Sequence, residues 1–389
     1  TVGIEEEFFL AHPRSRSLAG SVPRSFLRAC RRRLGEAVAP ELLHSQVELV
    51  SPVFDRCDHA HDEMMRMRRA IGEVAIDKDL RVVAAGTHPI AAWGEQVETP
   101  KRRYRGIMED FQIVARRNVL CGLHVHVAVP AGVDRVALMN RVMPWLPAFL
   151  ALSTSSPFWN RAAPGLLSYR QAAYDEWPRT GIPDHFESEA EYLRFVEQLA
   201  AGGAARDASY LWWAIRPATR FPTLELRICD ACTRLADSLA IAALYRCLVR
   251  LCTRRPELAP AWTPFTRRLI DENRWRAKRF GLDAQFLSQD GTPPVDARET
   301  IRRLLDLVAE DAQALGCEGP LARVREILAE GTSAHVQLAL YHGRRAKGDT
   351  PFAALQFVVD WLAAATVTDA ITGARPAFDF LYADEAGRR

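Results

Sequence analysis

The sequence has no long uninterrupted apolar run and little net charge, and these two absences argue against broad classes of protein. Its most apolar stretch, residues 142–152, contains Pro144 and Pro147 and is far shorter than the roughly 20 residues that a membrane-spanning helix needs. The formal net charge is only +3 over 389 residues, which indicates no basic surface for nucleic acid. We therefore expect neither a membrane protein nor a nucleic-acid partner.

Cysteine and glycine patterns are also lacking. The eight cysteines form no disulfide framework, and the pair Cys229-x-x-Cys232 lacks the second pair that a structural zinc site requires. Nothing resembles a signal peptide, so a reduced, cytoplasmic protein is expected. No Walker-type glycine loop is present, so any nucleotide would have to be bound by other means.

The sequence does contain a mixture of predicted strands and helices. Segments rich in Val, Ile, Leu and Phe, or alternating polar with apolar residues, predict strands. These strands are residues 2–10, 45–53, 80–86, 120–129, 211–216 and 223–229. Helices are predicted over residues 25–35, 59–79 and 104–118. Because strand and helix do not alternate regularly, a doubly wound parallel sheet is not expected.

After residue 232 the sequence becomes helical. Residues 235–254 are apolar on nearly all sides, and a helical period continues through residues 301–315. Further helices are predicted at 321–330, 333–343 and 351–366, whereas residues 153–181 form a long irregular stretch. We predict one α+β domain over 1–389, in which residues 1–232 carry the site and the helical region 233–389 packs on them.

Four strand-like segments place acidic, imidazole or guanidinium groups two residues apart. They are Glu5-Glu6-Glu7, Gln46-Val47-Glu48, His124-Val125-His126 and Glu225-Leu226-Arg227. Residues i and i+2 of a strand point to the same face, so these groups would converge if the strands were neighbours in one sheet. An oxygen-rich cluster of this kind favours a divalent-metal site, and arginines beside it suit phosphoryl chemistry.

Each segment alone has other interpretations. Glu5 and Glu7 could lie on an exposed strand face, His124 and His126 could be buried core histidines, and Glu225 could pair with an arginine structurally. The His-x-His strand also occurs in metal-dependent hydrolases. Carboxylates outnumber imidazoles, however, which favours a hard cation over zinc.

Taken together, the segments resemble a known family. The matching stretches are Gly-Ile-Glu-Glu-Glu-Phe (3–8), Val-Glu-Leu-Val-Ser-Pro (47–52), Gly-Thr-His-Pro (86–89), Gly-Leu-His-Val-His-Val (122–127), Ser-Thr-Ser-Ser-Pro-Phe-Trp (153–159), Ser-Tyr-Arg (168–170), Trp-Pro-Arg-Thr-Gly (177–181) and Ile-Arg-Pro…Leu-Glu-Leu-Arg (215–227). Over roughly residues 1–365 the chain resembles the glutamate–cysteine ligase 2 family of carboxylate–amine ligases, within the glutamine-synthetase-like superfamily. The resemblance implies a mainly antiparallel sheet as the active-site surface.

The resemblance also implies roles for individual residues. Metal ligands would be Glu5, Glu7, Glu48, His124 and Glu225, holding two or three magnesium ions, with manganese as an alternative. Residues approaching the ATP phosphates would be His126, Arg216, Arg220 and Arg227, with Arg216, Arg227 and His126 as the catalytic groups. Substrate-binding residues would be Arg170, His88 and Trp159. Glu6 should face away from the metals and be dispensable for binding them, and the role of Glu41 is left open.

The implied reaction activates a carboxylate, the γ-carboxylate of glutamate, as an acyl phosphate, which cysteine or another amine then attacks. The products would be γ-glutamylcysteine, ADP and phosphate, and the family suggests a homodimer. Two alternatives stay open. A metal-dependent hydrolase would use the His-x-His strand without ATP, and a guanidino-kinase-like phosphotransferase would make no amide. A non-catalytic binding protein is disfavoured because each proposed metal ligand has a competent side chain.

Overall fold

A seven-stranded sheet forms the centre of the computed structural model, which describes residues 1–20, 22–57, 59–259 and 261–368. Its strands are β1 Val2–Ala11, β2 Val38–Pro40, β3 Gln46–Val50, β4 Arg81–Val83, β5 Gly122–Ala128, β6 Ile215–Pro217 and β7 Thr223–Asp230. The order is β2-β3-β1-β5-β7-β6, β4 pairs with the end of β1, and all these pairings are antiparallel. A separate hairpin joins β8 Gln285–Phe286 to β9 Val295–Asp296.

Helices surround this sheet and dominate the second half of the chain. They are α1 Arg24–Leu34, α2 Ala60–Ile76, α3 Arg102–Phe111, α4 Ile113–Arg116, α5 Arg135–Val142, α6 Leu146–Ser153, α7 Tyr169–Tyr174, α8 Glu189–Ala201, α9 Leu235–Arg254, α10 Thr266–Phe280, α11 Ala297–Leu307, α12 Ala309–Leu315, α13 Glu318–Glu330, α14 Ser333–Ala346 and α15 Pro351–Val367. The predicted combination of an α+β region, a mainly antiparallel sheet and a helical region is confirmed.

The sheet has one mainly apolar face, which we call the back face. On β1 this face carries Ile4 and Phe8, which are 1% and 0% exposed. Their neighbours on β5, such as Val125, and the apolar residues of α2 and α9 belong to the same core. Burial of this much apolar surface is the main stabilising contribution to such a fold. The opposite, front face of β1 carries the side chains of Glu5 and Glu7.

Several predicted boundaries differ from the structure for local reasons. The helix predicted over 104–118 is broken at Gln112, whose φ of 48° interrupts the helical path between α3 and α4. Of the strand predicted over 211–216, only residues 215 and 216 are strand, within β6, because the backbone N–H groups of Trp212 and Ala214 donate to the carbonyl oxygens of Arg179 and Gly181 instead of a strand. The irregular stretch 153–181 contains one short helix, α7.

The apolar segment around Pro144 is helical and lies inside the protein. Residues 135–153 are the one helical stretch of the described chain that is long and apolar enough to cross a membrane by length and composition. Of the apolar 18-residue segment within this stretch, 78% is buried inside the protein. Its apolar surface is therefore already covered by packing, as in the core helix of a globular fold.

Candidate active site

The strand register brings the predicted ligands together on the front face of the sheet. Glu5 lies directly opposite His124, Glu7 opposite Glu48, and on the next strand pair His126 lies opposite Glu225. Directly opposed residues of antiparallel strands point the same way and lie close together. The convergence predicted from the i, i+2 pattern is therefore observed.

Three groups of these side chains have ligand atoms within 4.8 Å of one another. The groups are Glu5–Glu48–His124, Glu5–His126–Glu225 and Glu7–Glu41–Glu48. Glu5 joins the first two, because one carboxylate oxygen lies 3.3 Å from His124 Nδ1 and the other 3.3 Å from His126 Nε2. The third group includes Glu41, whose position the sequence had left open.

The charges of this cluster are unevenly balanced. Burial acts to raise the pKa of Glu5, but the contacts with His124 and His126 outweigh it and hold that pKa well below its usual range. Burial, together with the charges of Glu41, Glu5 and Glu7, raises the pKa of Glu48 well above its usual range. Burial and the charge of Glu7 raise the pKa of Glu41 to about 8. Carboxylates that resist ionisation next to like charges are under-compensated by cations.

Two arginines enclose the buried carboxylate of Glu225. Arg216 Nε donates to Glu225 Oε2 over 2.6 Å, and Arg227 Nη1 donates to Oε1. Burial acts to raise the pKa of Glu225, but Arg227 and Arg216 outweigh it, so that pKa lies below its usual range. Arg216 also donates to the carbonyl oxygens of Ser209 and Leu211, whereas the buried Nε of Arg227 has no hydrogen-bond partner.

A one-residue irregularity on β7 helps to place Arg227. The pairing of β5 with β7 shifts register between Leu123 and Val125, as in a β-bulge. Bulges locally twist a strand and redirect its side chains, and they are common beside active sites. Here the shift lies beside His124, next to the segment of β7 that carries Arg227.

The cluster lies at the floor of a cleft of about 720 Å³, a size within the usual range of small-molecule sites. Of the predicted binding residues, Arg170, Arg216, Arg220 and Arg227 line it, with Arg220 exposed at its surface. Residues that the sequence did not single out also line it, among them Lys101, Tyr104, Tyr174, Trp177 and Trp212.

Two residues predicted to bind substrate, His88 and Trp159, are not among the described residues that line this cleft. His88 is fully buried with its ring edge-on to Phe9, and burial lowers its pKa to about 3. Trp159 instead stacks on Tyr169, with 5.1 Å between ring centroids. Both belong to the packing around the end of β1.

Arg170 is held at the cleft by backbone contacts. Its Nη1 donates to the carbonyl oxygen of Cys229 over 3.0 Å, and its guanidinium lies over the ring of Tyr174. A Cβ at position 122 would come within 2.3 Å of Arg170 Nη2, so only glycine permits this approach. Gly122 N also donates to Glu7 Oε2 over 2.6 Å. Gly122 therefore both leaves space for Arg170 and holds a carboxylate of the acid cluster.

Helix α7, which carries Arg170, is anchored from the helical region. Asp175 at its end pairs with Arg274, 2.7 Å away, and with Lys278 on α10. The carbonyl oxygen of Lys278 also accepts the backbone N–H groups of Leu167 and Ser168 just before α7. The position of Arg170 therefore depends on α10.

The serine-rich segment 153–156 has a structural role. The buried carboxylate of Asp230, at the end of β7, accepts hydrogen bonds from Ser155 N and from the hydroxyl groups of Ser156 and Ser168. Ser156 Oγ in turn accepts the backbone N–H of Arg170. This network joins β7 to α7 behind the arginine.

The front-face residues fit a divalent cation. Two of the carboxylates lack sufficient compensating charge, the donor atoms are mostly hard oxygens, and His124 Nε2 is buried without a hydrogen-bond partner. Carboxylate oxygens with imidazole nitrogen suit magnesium or manganese. The Thr223 hydroxyl, 3.0 Å from His126 Nδ1, orients that ring so that Nε2 faces Glu5, as an orienting partner of a metal ligand would.

Comparison with known proteins shows the family of this chain. Its residues 1–356 match the family described as glutamate-cysteine ligase family 2. The chain belongs to this family. Two relatives named "Putative glutamate–cysteine ligase 2" come from Ectopseudomonas mendocina (strain ymp) and Rhodospirillum rubrum. They are 46% and 45% identical, the matches covering 94% of this chain in each case and 97% and 95% of the relatives. The resemblance recognised in the sequence is thus confirmed.

Two solved structures share the fold of this family member. A glutamate–cysteine ligase from Francisella tularensis, crystallised in complex with AMP, gives a TM-score of 0.67 at 13% identity, covering 99% of this chain and 92% of its own. A bifunctional glutathione synthetase from Pasteurella multocida gives 0.66 at 12% identity, covering 94% of this chain and 52% of its own. At these identities the likeness establishes the architecture.

In this family 2 chain, the residues that sequence reasoning missed share one property. Lys101 and Tyr104 lie at the start of α3, Tyr174 and Trp177 at the end of α7 or just after it, and Trp212 in the approach to β6. Each reaches the cleft from a loop or a helix end, where no i, i+2 pattern exists. The only available signal was their position inside or beside stretches that match the family, as for Trp177.

Proposed function

We propose that this chain is an ATP-dependent carboxylate–amine ligase that joins the γ-carboxylate of glutamate to the amine of cysteine. The observation that carries the proposal is the front-face cluster of carboxylates and imidazoles beside the two half-buried guanidinium groups of Arg216 and Arg227. Membership of glutamate–cysteine ligase family 2 supports the same reaction class. We further propose a cytoplasmic, single-domain enzyme that acts as a homodimer.

The metal-binding residues of the proposal are Glu5, Glu7, Glu48, His124 and Glu225, which would hold two or three magnesium ions, or manganese. The geometry supports adding His126 and Glu41, because each belongs to a group of convergent ligand atoms. Bound divalent cations supply neutralisation of the charge on the β- and γ-phosphates of ATP. The protein contributes a fixed spacing of carboxylates and imidazoles across the four adjacent strands β3, β1, β5 and β7.

Arg227, Arg216 and His126 are the proposed catalytic groups beside the phosphates, and their tasks differ. Arg227 is half-buried beside the cluster and has an uncommitted Nε, so it can donate to an oxygen of the transferring phosphoryl group. Arg216 is largely occupied by Glu225 and the backbone, so its main effect is to keep Glu225 and Arg227 in place. Arg220, exposed at the cleft, attracts the anionic nucleotide.

Arg170 binds the carboxylate of the acid substrate. Its guanidinium is 3% exposed, lines the cleft and keeps one buried Nε without a partner. A planar guanidinium matches a carboxylate through paired hydrogen bonds. The acid so held accepts the γ-phosphoryl group of ATP with release of ADP. The amine then attacks the acyl carbon and displaces phosphate, which forms the amide.

The test is phosphate release from ATP with magnesium and glutamate, scanned over a panel of amines that includes cysteine. We expect release that depends on both acid and amine, with γ-glutamylcysteine detected by mass spectrometry. Release without amine dependence, or a stable phosphorylated product, would indicate a phosphotransferase. Activity without ATP, with zinc in the purified protein, would indicate the hydrolase based on His124 and His126.

A further inference from the structure

Behind the acid cluster, on the back face of the same strand, lies a fully buried ion pair. Glu6 stands between Glu5 and Glu7 and therefore points the other way. Arg68 of α2 binds its carboxylate through two hydrogen bonds. Arg68 Nε donates to Glu6 Oε2 over 2.9 Å, and Arg68 Nη2 donates to Glu6 Oε1 over 2.5 Å. Arg68 is 0% exposed and Glu6 2%. The Ser238 hydroxyl donates to Oε1 over 2.6 Å.

The other donors of Arg68 reach distant parts of the chain. Nη1 donates to the carbonyl oxygens of Thr233 and Thr366 over 2.9 and 3.2 Å, and Nη2 donates to that of Cys232 over 3.0 Å. One guanidinium thus ties β1 to the connection between β7 and α9 and to the end of α15. Neither Arg68 nor Glu6 has a buried polar atom without a partner.

This pair opposes a force that the front face creates. Glu5 and Glu7 share their face with Glu48 and Glu41, and like charges this close repel one another. A slip of β1 by one residue would move both acids to the back face. A buried ion pair contributes little net stability, but a bidentate arginine–carboxylate contact is geometrically specific, so the Glu6–Arg68 pair is suited to fixing β1 against that repulsion.

We propose that Glu6 and Arg68 are positioning residues, which hold β1 so that Glu5 and Glu7 keep the spacing to His124 and Glu48 needed to bind divalent cations. The inference rests on the proposed function for the identity of the cation site. It assigns the middle glutamate of the Glu-Glu-Glu stretch a task that differs from that of its two neighbours.

The test compares R68K with R323K in the full-length protein. Lysine keeps the charge but lacks the planar fork, so it cannot reproduce the bidentate contact. Arg323 is the matched control, since it forms a similarly buried pair with Asp237 between α13 and α9, 2.7 Å away, without touching β1. Both variants should lower the melting temperature. Only R68K should weaken Mn²⁺ binding, measured by calorimetry without nucleotide, by about tenfold.

A second variant covers the case in which R68K fails to fold. E6Q keeps the shape of the side chain and one carbonyl acceptor, and we expect it to weaken Mn²⁺ binding in the same direction. Equal Mn²⁺ affinity in wild type, E6Q and R68K, or an equal loss in R323K, would overturn the inference. Wild-type protein that binds Mn²⁺ but makes no amide would refute the proposed ligase while leaving this comparison intact.

Discussion

The two sides of β1 have opposite surroundings. On the back, Ile4 and Phe8 are sealed in the core and Glu6 has a full set of partners. On the front, Glu5 and Glu7 stand among other acids in an open cleft. Because side chains alternate along a strand, the ten residues of β1 contribute to the core on the back face and to the acid cluster on the front face.

The difference shows what a carboxylate needs in each setting. Glu6 is compensated permanently by Arg68, whereas Glu48 and Glu41 have pKa values raised by burial and by neighbouring acids. The negative charges of this cluster are poorly balanced by positive groups of the protein. Binding of a cation to the cluster is therefore favourable. Changes on the front should therefore alter activity, and changes to the apolar side chains of the back face should alter stability.

The largest expected effect is from E5Q on the front face. Glu5 belongs to two of the three ligand groups, so we expect amide formation to fall by at least about 100-fold. The melting temperature should fall modestly, because the contacts with His124 and His126 that stabilise the charge of Glu5 are weakened. Magnesium-dependent ligation at the wild-type rate would show that Glu5 is not a metal ligand.

F8A should produce the converse on the back face. Phe8 is 0% exposed, and truncating a buried phenylalanine costs roughly 3–5 kcal/mol of unfolding free energy. The ratio of kcat to KM per folded molecule should change little. F265A, at a side chain that is 68% exposed, is the control, and chemical denaturation measures both. An F8A protein as stable as F265A would mean that the back face is not the stabilising one.

G122A tests whether the close approach of Arg170 to the backbone of β5 matters for substrate binding. The added methyl would meet Arg170 Nη2 at 2.3 Å, so the guanidinium must move. We expect the KM for the acid substrate to rise roughly tenfold, the cost of a weakened charged hydrogen bond. G94A is the control, since a Cβ there meets nothing within 4 Å. Steady-state kinetics that respond equally to both variants would remove Arg170 from substrate binding.

R220A should have the smallest effect. Arg220 is exposed at the cleft, so its loss should raise the KM for ATP by roughly two- to threefold and less in high salt, where exposed charges are screened. R28A, an exposed arginine of α1 outside the cleft, is the control. Kinetics at two ionic strengths decide whether Arg220 acts by long-range attraction or by a direct contact that salt does not weaken.

Much of the front face was predictable because it follows a local rule. The i, i+2 spacing in Glu5–Glu7 and His124–His126 fixes which side chains share a face, whatever the strand order. That order, which sets Glu7 opposite Glu48, is a long-range property that the residues alone did not reveal. The family resemblance supplied what periodicity could not, and the α+β class followed from both.

What escaped the sequence depends on tertiary packing. The partner of Glu6 lies 62 positions away in a helix, and no pattern in β1 points to it. The break at Gln112 and the bulge beside His124 are single-residue deviations that periodicity averages out. His88 and Trp159 were assigned to the pocket by their motifs, yet burial against Phe9 and Tyr169 decides their positions.

The anchoring of α7 by α10 bears on how this protein can be divided. The acids of the cleft come from the first 232 residues, but the helix that presents Arg170 is fastened through Asp175 to Arg274 and Lys278. A fragment cut at residue 232 would keep every carboxylate of the cluster and lose the support of its arginine. A chimera with a relative should therefore take α7 with Asp175 and α10 with Arg274 and Lys278 from the same parent.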